Sequence, residues 1–133
     1  MRHILVLNSK GGCGKSTIAT SLAAYYAMRD ERVTLVDYDR QASSLDWLQR
    51  RPENRPPITG VAGFNDGFRP VPRNTEVVVI DAPAGCHGRE LTELVRHAET
   101  IVVPVLPSTI DIVASGKFID ALQEVGKVER REV

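Results

Sequence analysis

Apolar residues in this chain come in short blocks separated by polar, glycine-bearing segments. Ile4 to Leu7 is a continuous apolar run stopped by glycines, the pattern of a strand buried on both faces. From Lys15 to about Arg29 the sequence is alanine-rich, with Ile18, Leu22 and Tyr25 at helical spacing, and "VTLVD" at Val33 to Asp37 reads as a second strand. Strand, loop, helix and strand fit one right-handed βαβ unit of about 30 residues. The alternation continues with a short helix around Ser43 to Gln49, a strand over Glu76 to Asp81, and a helix near Arg89 to Ala98 whose Leu91, Leu94, Val95 and Ala98 share a face. A strand "IVVPV" and a last helix carrying Phe118, Ile119, Leu122 and Val125 follow. Such alternation predicts an α/β fold of three layers, a mostly parallel sheet with helices on both faces. Between Arg50 and Arg73, prolines, glycines and arginines predict an irregular connection with a short strand near Ile58 to Val61.

Length and charge narrow the picture without deciding it. The 133 residues fit one domain over 1–133. Lysine plus arginine and aspartate plus glutamate number 17 each, so no overall field draws the chain to nucleic acid or to an anionic bilayer. Two cysteines, Cys13 and Cys86, without a CxxC pair argue against a disulfide framework and a structural zinc site and suit a reduced, cytoplasmic setting. No apolar stretch approaches the roughly 20 residues that cross a bilayer, and "MRHILVLNSKGG" carries no signal-peptide pattern, so folding is expected to begin at the first residue.

The chemistry concentrates in "NSKGGCGKST", Asn8 to Thr17. A strand, a glycine-rich turn and a helix make an anion site, because the first helical turn leaves backbone N–H groups unpaired and glycines let the chain wrap around phosphate oxygens. Gly11, Gly12 and Gly14 supply the cradle, with Cys13 contributing its backbone N–H; Lys15 suits the β- and γ-phosphates, Ser16 suits Mg²⁺, and Thr17 completes the segment. Ser9 stands where the usual pattern has glycine, and Lys10 follows it. A loop lysine is ordinarily a solvated charge, so Lys10 needs a separate reason.

Other strand ends add carboxylates. Asp37 and Asp39, two apart, share a face in extended backbone, and "VVVIDAPAG" ends a strand at Asp81, with Gly85 four residues on where the backbone can swing with the γ-phosphate. Strand-terminal aspartates also cap helices and form turns. Three of them beside a phosphate loop, at the edge where open parallel sheets bind ligands, favour the site.

"KGGCGKST", "VDYDRQASSLDW", "VVVIDAPAG" and "PVLPSTIDI" together resemble the ParA/MinD family of deviant Walker A ATPases with a P-loop NTPase fold, most closely its small ParA-type partition and positioning members. The resemblance implies ATP and Mg²⁺ as cofactors and an ATP-dependent homodimer in which Lys10 reaches the phosphates held by the partner. Asp39 would position the attacking water, Ser16 would ligate Mg²⁺, Asp37 and Asp81 would hold metal-bound waters, and Pro107 and Ser108 would line the adenine. It further implies segregation or positioning of a cargo, such as a plasmid, a chromosome or a carboxysome-like compartment, on nonspecific nucleoid DNA in the cytoplasm, with a small activating partner or cargo adaptor and no membrane. A MinD-like membrane-associated ATPase and an iron-protein-like reductase component are the alternatives, the latter needing cluster-binding cysteines. Family members continue into further strands, so the chain is expected to lack a C-terminal part.

Several residues invite readings that their surroundings do not favour. Cys86 and His87, adjacent in a loop, are poorly placed as nucleophile and base, and His3 and His97 lack metal-ligand spacing. Trp47, Tyr25 and Tyr26 are expected to pack at the core boundary, and the arginines at 50, 51, 55, 69 and 73 to be solvated loop charges rather than DNA contacts.

Overall fold

The computed structural model describes residues 1–8, 14–63, 71–83, 85–86 and 88–124. Lys10, Gly11, Gly12, Cys13, Arg69, His87 and Val125 therefore lie outside the described residues. In chain order the elements are β1 (Arg2–Val6), α1 (Lys15–Met28), β2 (Val33–Asp37), α2 (Ser43–Gln49), β3 (Ile58–Ala62), β4 (Val77–Asp81), α3 (Gly88–His97), β5 (Thr100–Val102) and α4 (Thr109–Gln123). The strands form one parallel sheet in the order β3-β2-β4-β1-β5. The α/β expectation holds, and the irregular connection does contain a strand, which pairs with β2 at the sheet edge.

Side-chain alternation along the strands divides the core in two. Leu5, Leu7, Val78 and Ile80 face α3 and α4, packing with Leu91, Leu94, Val95, Ala98 and Leu122. Ile4, Val6, Leu35 and Val79 face the opposite way, onto Ala19, Ala23 and Ala27 of α1, with Trp47 of α2 and Tyr26 packed at the margin. Both faces are covered, which is why the central strands are nearly continuous in apolar residues.

Two expectations change in detail. The inward face of α1 is the alanine row at every fourth position, fully buried, while Ile18 and Leu22 flank it and Tyr25 is 52% exposed. Alanine has no bulk to hold a helix off the sheet, so α1 lies close against it and the larger side chains are displaced to its sides. The strand predicted over "IVVPV" stops at Val102, because Pro104 has no N–H to give a ladder and cannot continue it. Among the described residues no helix is long and apolar enough to cross a membrane.

The alanine row yields a stability prediction. Ala23→Leu should destabilise the chain by about 1–3 kcal/mol through overpacking, whereas Met28→Ala, at a position 63% exposed, should stay within about 0.5 kcal/mol. Denaturant unfolding of the two variants separates these outcomes.

Candidate functional site

The site follows from strand register. Val6 of β1 pairs with Asp81 of β4, and Asp81 pairs with Asp37 of β2, so three strand ends finish level at one edge of the sheet. From β1 the chain crosses through α1 on one face toward β2; from β4 it crosses through α3 on the other toward β5. The adjacent strands β1 and β4 therefore send their connections to opposite sides, leaving a crevice at their carboxyl ends, where open parallel sheets take ligands.

Gly14 precedes α1 with φ 85°, a left-handed conformation that costs an L side chain about 1–2 kcal/mol. It turns the chain into the helix so that Lys15, the first helical residue, points inward and is only 6% exposed. The Lys15 ammonium pairs with Asp81 Oδ1 and lies 3.5 Å from Asp39 Oδ2. On its other oxygen Asp81 accepts hydrogen bonds from Ser16 Oγ at 2.8 Å and from Ser44 Oγ. Asp81 and Ser44 are fully buried. One carboxylate thus collects a charge and two hydroxyls, from α1 and α2, at the mouth of the phosphate-loop helix.

The two aspartates of "VDYD" divide their work. Asp37, fully buried, accepts the Asp39 N–H at 2.9 Å on Oδ1 and the Leu45 N–H at 3.3 Å on Oδ2, tying the end of β2 to the start of α2. Asp39 is partly exposed, accepts the Gln41 N–H at 3.0 Å and directs its other oxygen to Lys15. Burial, with the neighbouring Asp81 charge adding to it against the backbone hydrogen bonds, pushes the Asp37 carboxyl up to about 6.

The residues fit a metal–nucleotide site. No group of three or more His, Cys, Asp or Glu among the described residues could enclose a metal by itself. Instead Ser16 Oγ lies beside Asp81, with Asp37 and Asp39 close by and, among the described residues, the Lys15 ammonium between carboxyl groups. Mg²⁺ is held in this manner, by few protein oxygens together with phosphate and water, rather than in an all-protein cage.

The remaining candidates take clear positions. Ser108 caps α4, its Oγ accepting the Asp111 N–H at 3.1 Å, and exposed Pro107 precedes it at the same edge of the sheet. Gly85 has φ 67°, a conformation suited to glycine. Cys86 is buried in the core under α3, and burial together with Glu90 pushes its thiol up to about 12, leaving little thiolate to attack a substrate or ligate a cluster. Arg51 donates to the Pro56 carbonyl and stacks 5.5 Å from the Trp47 ring centre; Arg50, Arg55 and Arg73 are exposed. Sequence reasoning missed Ser44. Its only mark in the sequence is a small hydroxyl in the first turn of a helix that follows a strand-terminal aspartate.

The raised Asp37 carboxyl makes a signed pH prediction. Its folded value of about 6 exceeds the ordinary 3.8, so protonation favours the folded state and the gain accrues as pH falls through about 6 toward 3.8. Relative to Asp37→Asn, the nucleotide-free chain should gain about 1 kcal/mol between about pH 7.5 and about pH 5. Denaturant unfolding of both proteins across that window measures it, and parallel stability curves would contradict it.

Residues 4–129 match the family model of the CobQ/CobB/MinD/ParA nucleotide binding domain. The Maintenance of carboxysome distribution protein A of Halothiobacillus neapolitanus is 32% identical over 133 residues, covering 93% of this chain and 59% of that protein. The protein of the same name from Gloeobacter kilaueensis is 36% identical over 120 residues, 84% of this chain and 52% of its own length. The chain thus spans somewhat over half the length of these relatives. Among solved structures, a nucleotide-binding protein in complex with ADP from Archaeoglobus fulgidus superposes with a TM-score of 0.70 at 19% identity, covering 99% of this chain and 63% of that one. The MinC:MinD cell division protein complex of Aquifex aeolicus gives 0.68 at 18% identity, over 99% of this chain and 66% of the other. With the family model spanning nearly the whole sequence and the same fold in these neighbours, the chain belongs to the ParA/MinD nucleotide-binding family.

Proposed function

We propose that this chain is the nucleotide-binding portion of a ParA-type ATPase that binds ATP with Mg²⁺, pairs with a second copy while ATP is bound, and hydrolyses ATP to ADP and phosphate to position a cargo. The observation that carries the nucleotide part is the buried Lys15 ammonium held by Asp81 and Asp39 at the mouth of α1. Asp81 and Asp39 show that this corner of the fold accommodates a charged ammonium with an anionic partner. Phosphate oxygens offer it an equivalent charge partner, so binding exchanges one ion pair for another instead of desolvating a free ammonium. Gly11, Gly12, Cys13, Gly14, Ser16 and Thr17 would give the phosphates their N–H and hydroxyl partners, with Pro107 and Ser108 beside the base.

Mg²⁺, when bound, neutralises charge on the phosphates and orders them for in-line displacement. Ser16 would ligate it, while Asp81 and Asp37 would hold its waters. Asp39, partly exposed beside Lys15, would orient the attacking water. Lys10 supplies the cation that completes the pocket of the partner copy, a contribution comparable to the ~10³ to 10⁵ that an arginine finger adds in related chemistry. Binding and pairing are then one event, and each copy alone is a slow ATPase.

For the cargo, the two relatives named for carboxysome distribution, which cover 93% and 84% of this chain, support a protein compartment ahead of a plasmid or chromosome. The reading places the dimer on nonspecific nucleoid DNA in the cytoplasm, with a small activating partner or cargo adaptor releasing it. Charge balance in this chain gives no general attraction to DNA, so that contact calls for a local basic surface.

Two substitutions test the engine. Lys15→Ala should abolish binding of a fluorescent ATP analogue. Lys10→Ala should keep appreciable binding but lose ATP-dependent pairing in light scattering, along with at least about a thousandfold of hydrolysis; pairing equal to wild type would refute the role given to Lys10.

A further inference from the structure

We infer that Ser44 is a positioning residue for the Mg²⁺ site, holding the Asp81 carboxylate in place while nucleotide is bound; the inference rests on the nucleotide reading above. Ser44 is the second residue of α2 and has no exposed surface. A serine in the first turn of a helix ordinarily caps it or bonds back to it. Here the cap position is Ala42, in a left-handed conformation without a side-chain cap, and the Ser44 hydroxyl donates across the layer to Asp81 Oδ2. Asp37 prepares that reach by accepting the next N–H of the helix, that of Leu45, at 3.3 Å.

The three side-chain donors on Asp81 among the described residues differ in what a nucleotide does to them. Lys15 is the lysine of the phosphate loop and leaves for the phosphates; Ser16 has its oxygen drawn to the cation. Both belong to α1, the helix that the phosphates engage. Ser44 belongs to α2 and, of these three, is the donor to which the reading gives no direct partner on the phosphates or the cation. While Lys15 and Ser16 both stay on Asp81, the carboxylate loses little without Ser44. In the loaded chain a buried carboxylate that has given up its ammonium needs the fixed hydroxyl to keep one orientation toward metal-bound water. Removing Ser44 should therefore weaken Mg²⁺ binding selectively. Outer partners of metal sites act in this way, by orienting the groups closer in.

The test uses the full chain, anisotropy of a fluorescent ADP analogue and Mg²⁺ as the titrant, with Ser44→Ala and the nearly isosteric Ser44→Cys as variants. Both should raise the Mg²⁺ concentration for half-maximal stabilisation of the complex by about tenfold, and leave affinity in excess chelator within about twofold. An unchanged Mg²⁺ requirement in both variants, with wild type binding normally, would overturn the inference and leave the nucleotide reading intact. An equal loss of affinity with and without Mg²⁺ would also overturn it, assigning Ser44 to packing alone. Wild-type chain that binds no nucleotide at all would overturn both.

Discussion

A buried ammonium against a buried carboxylate, Lys15 on Asp81, is the constraint around which the site end of this molecule is arranged. Burying either charge alone costs several kcal/mol even after relaxation, so the pair persists only where the chain fixes both partners and satisfies their remaining hydrogen-bonding capacity. Asp81 is fixed by ending a central strand, in register with Val6 on one side and Asp37 on the other. Lys15 is fixed by opening a helix whose alanine face lies against the sheet. Ser16 and Ser44 occupy the carboxylate's second oxygen.

That arrangement explains why features distant from the phosphate loop matter to it. A bulkier inward face on α1 would lift Lys15 away from the edge of the sheet, and a slip of β4 by one residue would turn Asp81 to the other face. The backbone N–H groups of Asp39 and Leu45, both accepted by Asp37, fasten α2 where Ser44 can reach Asp81. Fold and site are therefore the same set of contacts seen at two scales.

Much of this was legible in the sequence because the strong signals were local. Short apolar runs ending in Asp37 and Asp81, with a glycine loop between Leu7 and Lys15, place three strand ends and a helix start without any knowledge of packing. What was not legible depended on distances between elements. Ile18, Leu22 and Tyr25 marked α1 as a helix but not its inward face, because alanine says nothing in the sequence about how closely a helix will approach a sheet. Pro104 sat inside an apolar run and ended β5 early. Ser44 could not be singled out from Ser43, since only the placement of α2 against β4 brings the second serine to Asp81.

The most direct test of the central claim is the nitrogen NMR signal of the Lys15 ammonium, followed as ADP and Mg²⁺ are added to the isotopically labelled chain. The account predicts that the signal moves on saturation and couples to nucleotide phosphorus, showing that the ammonium has left Asp81 for the phosphates. A signal that stays at its nucleotide-free position while ADP is demonstrably bound would contradict it.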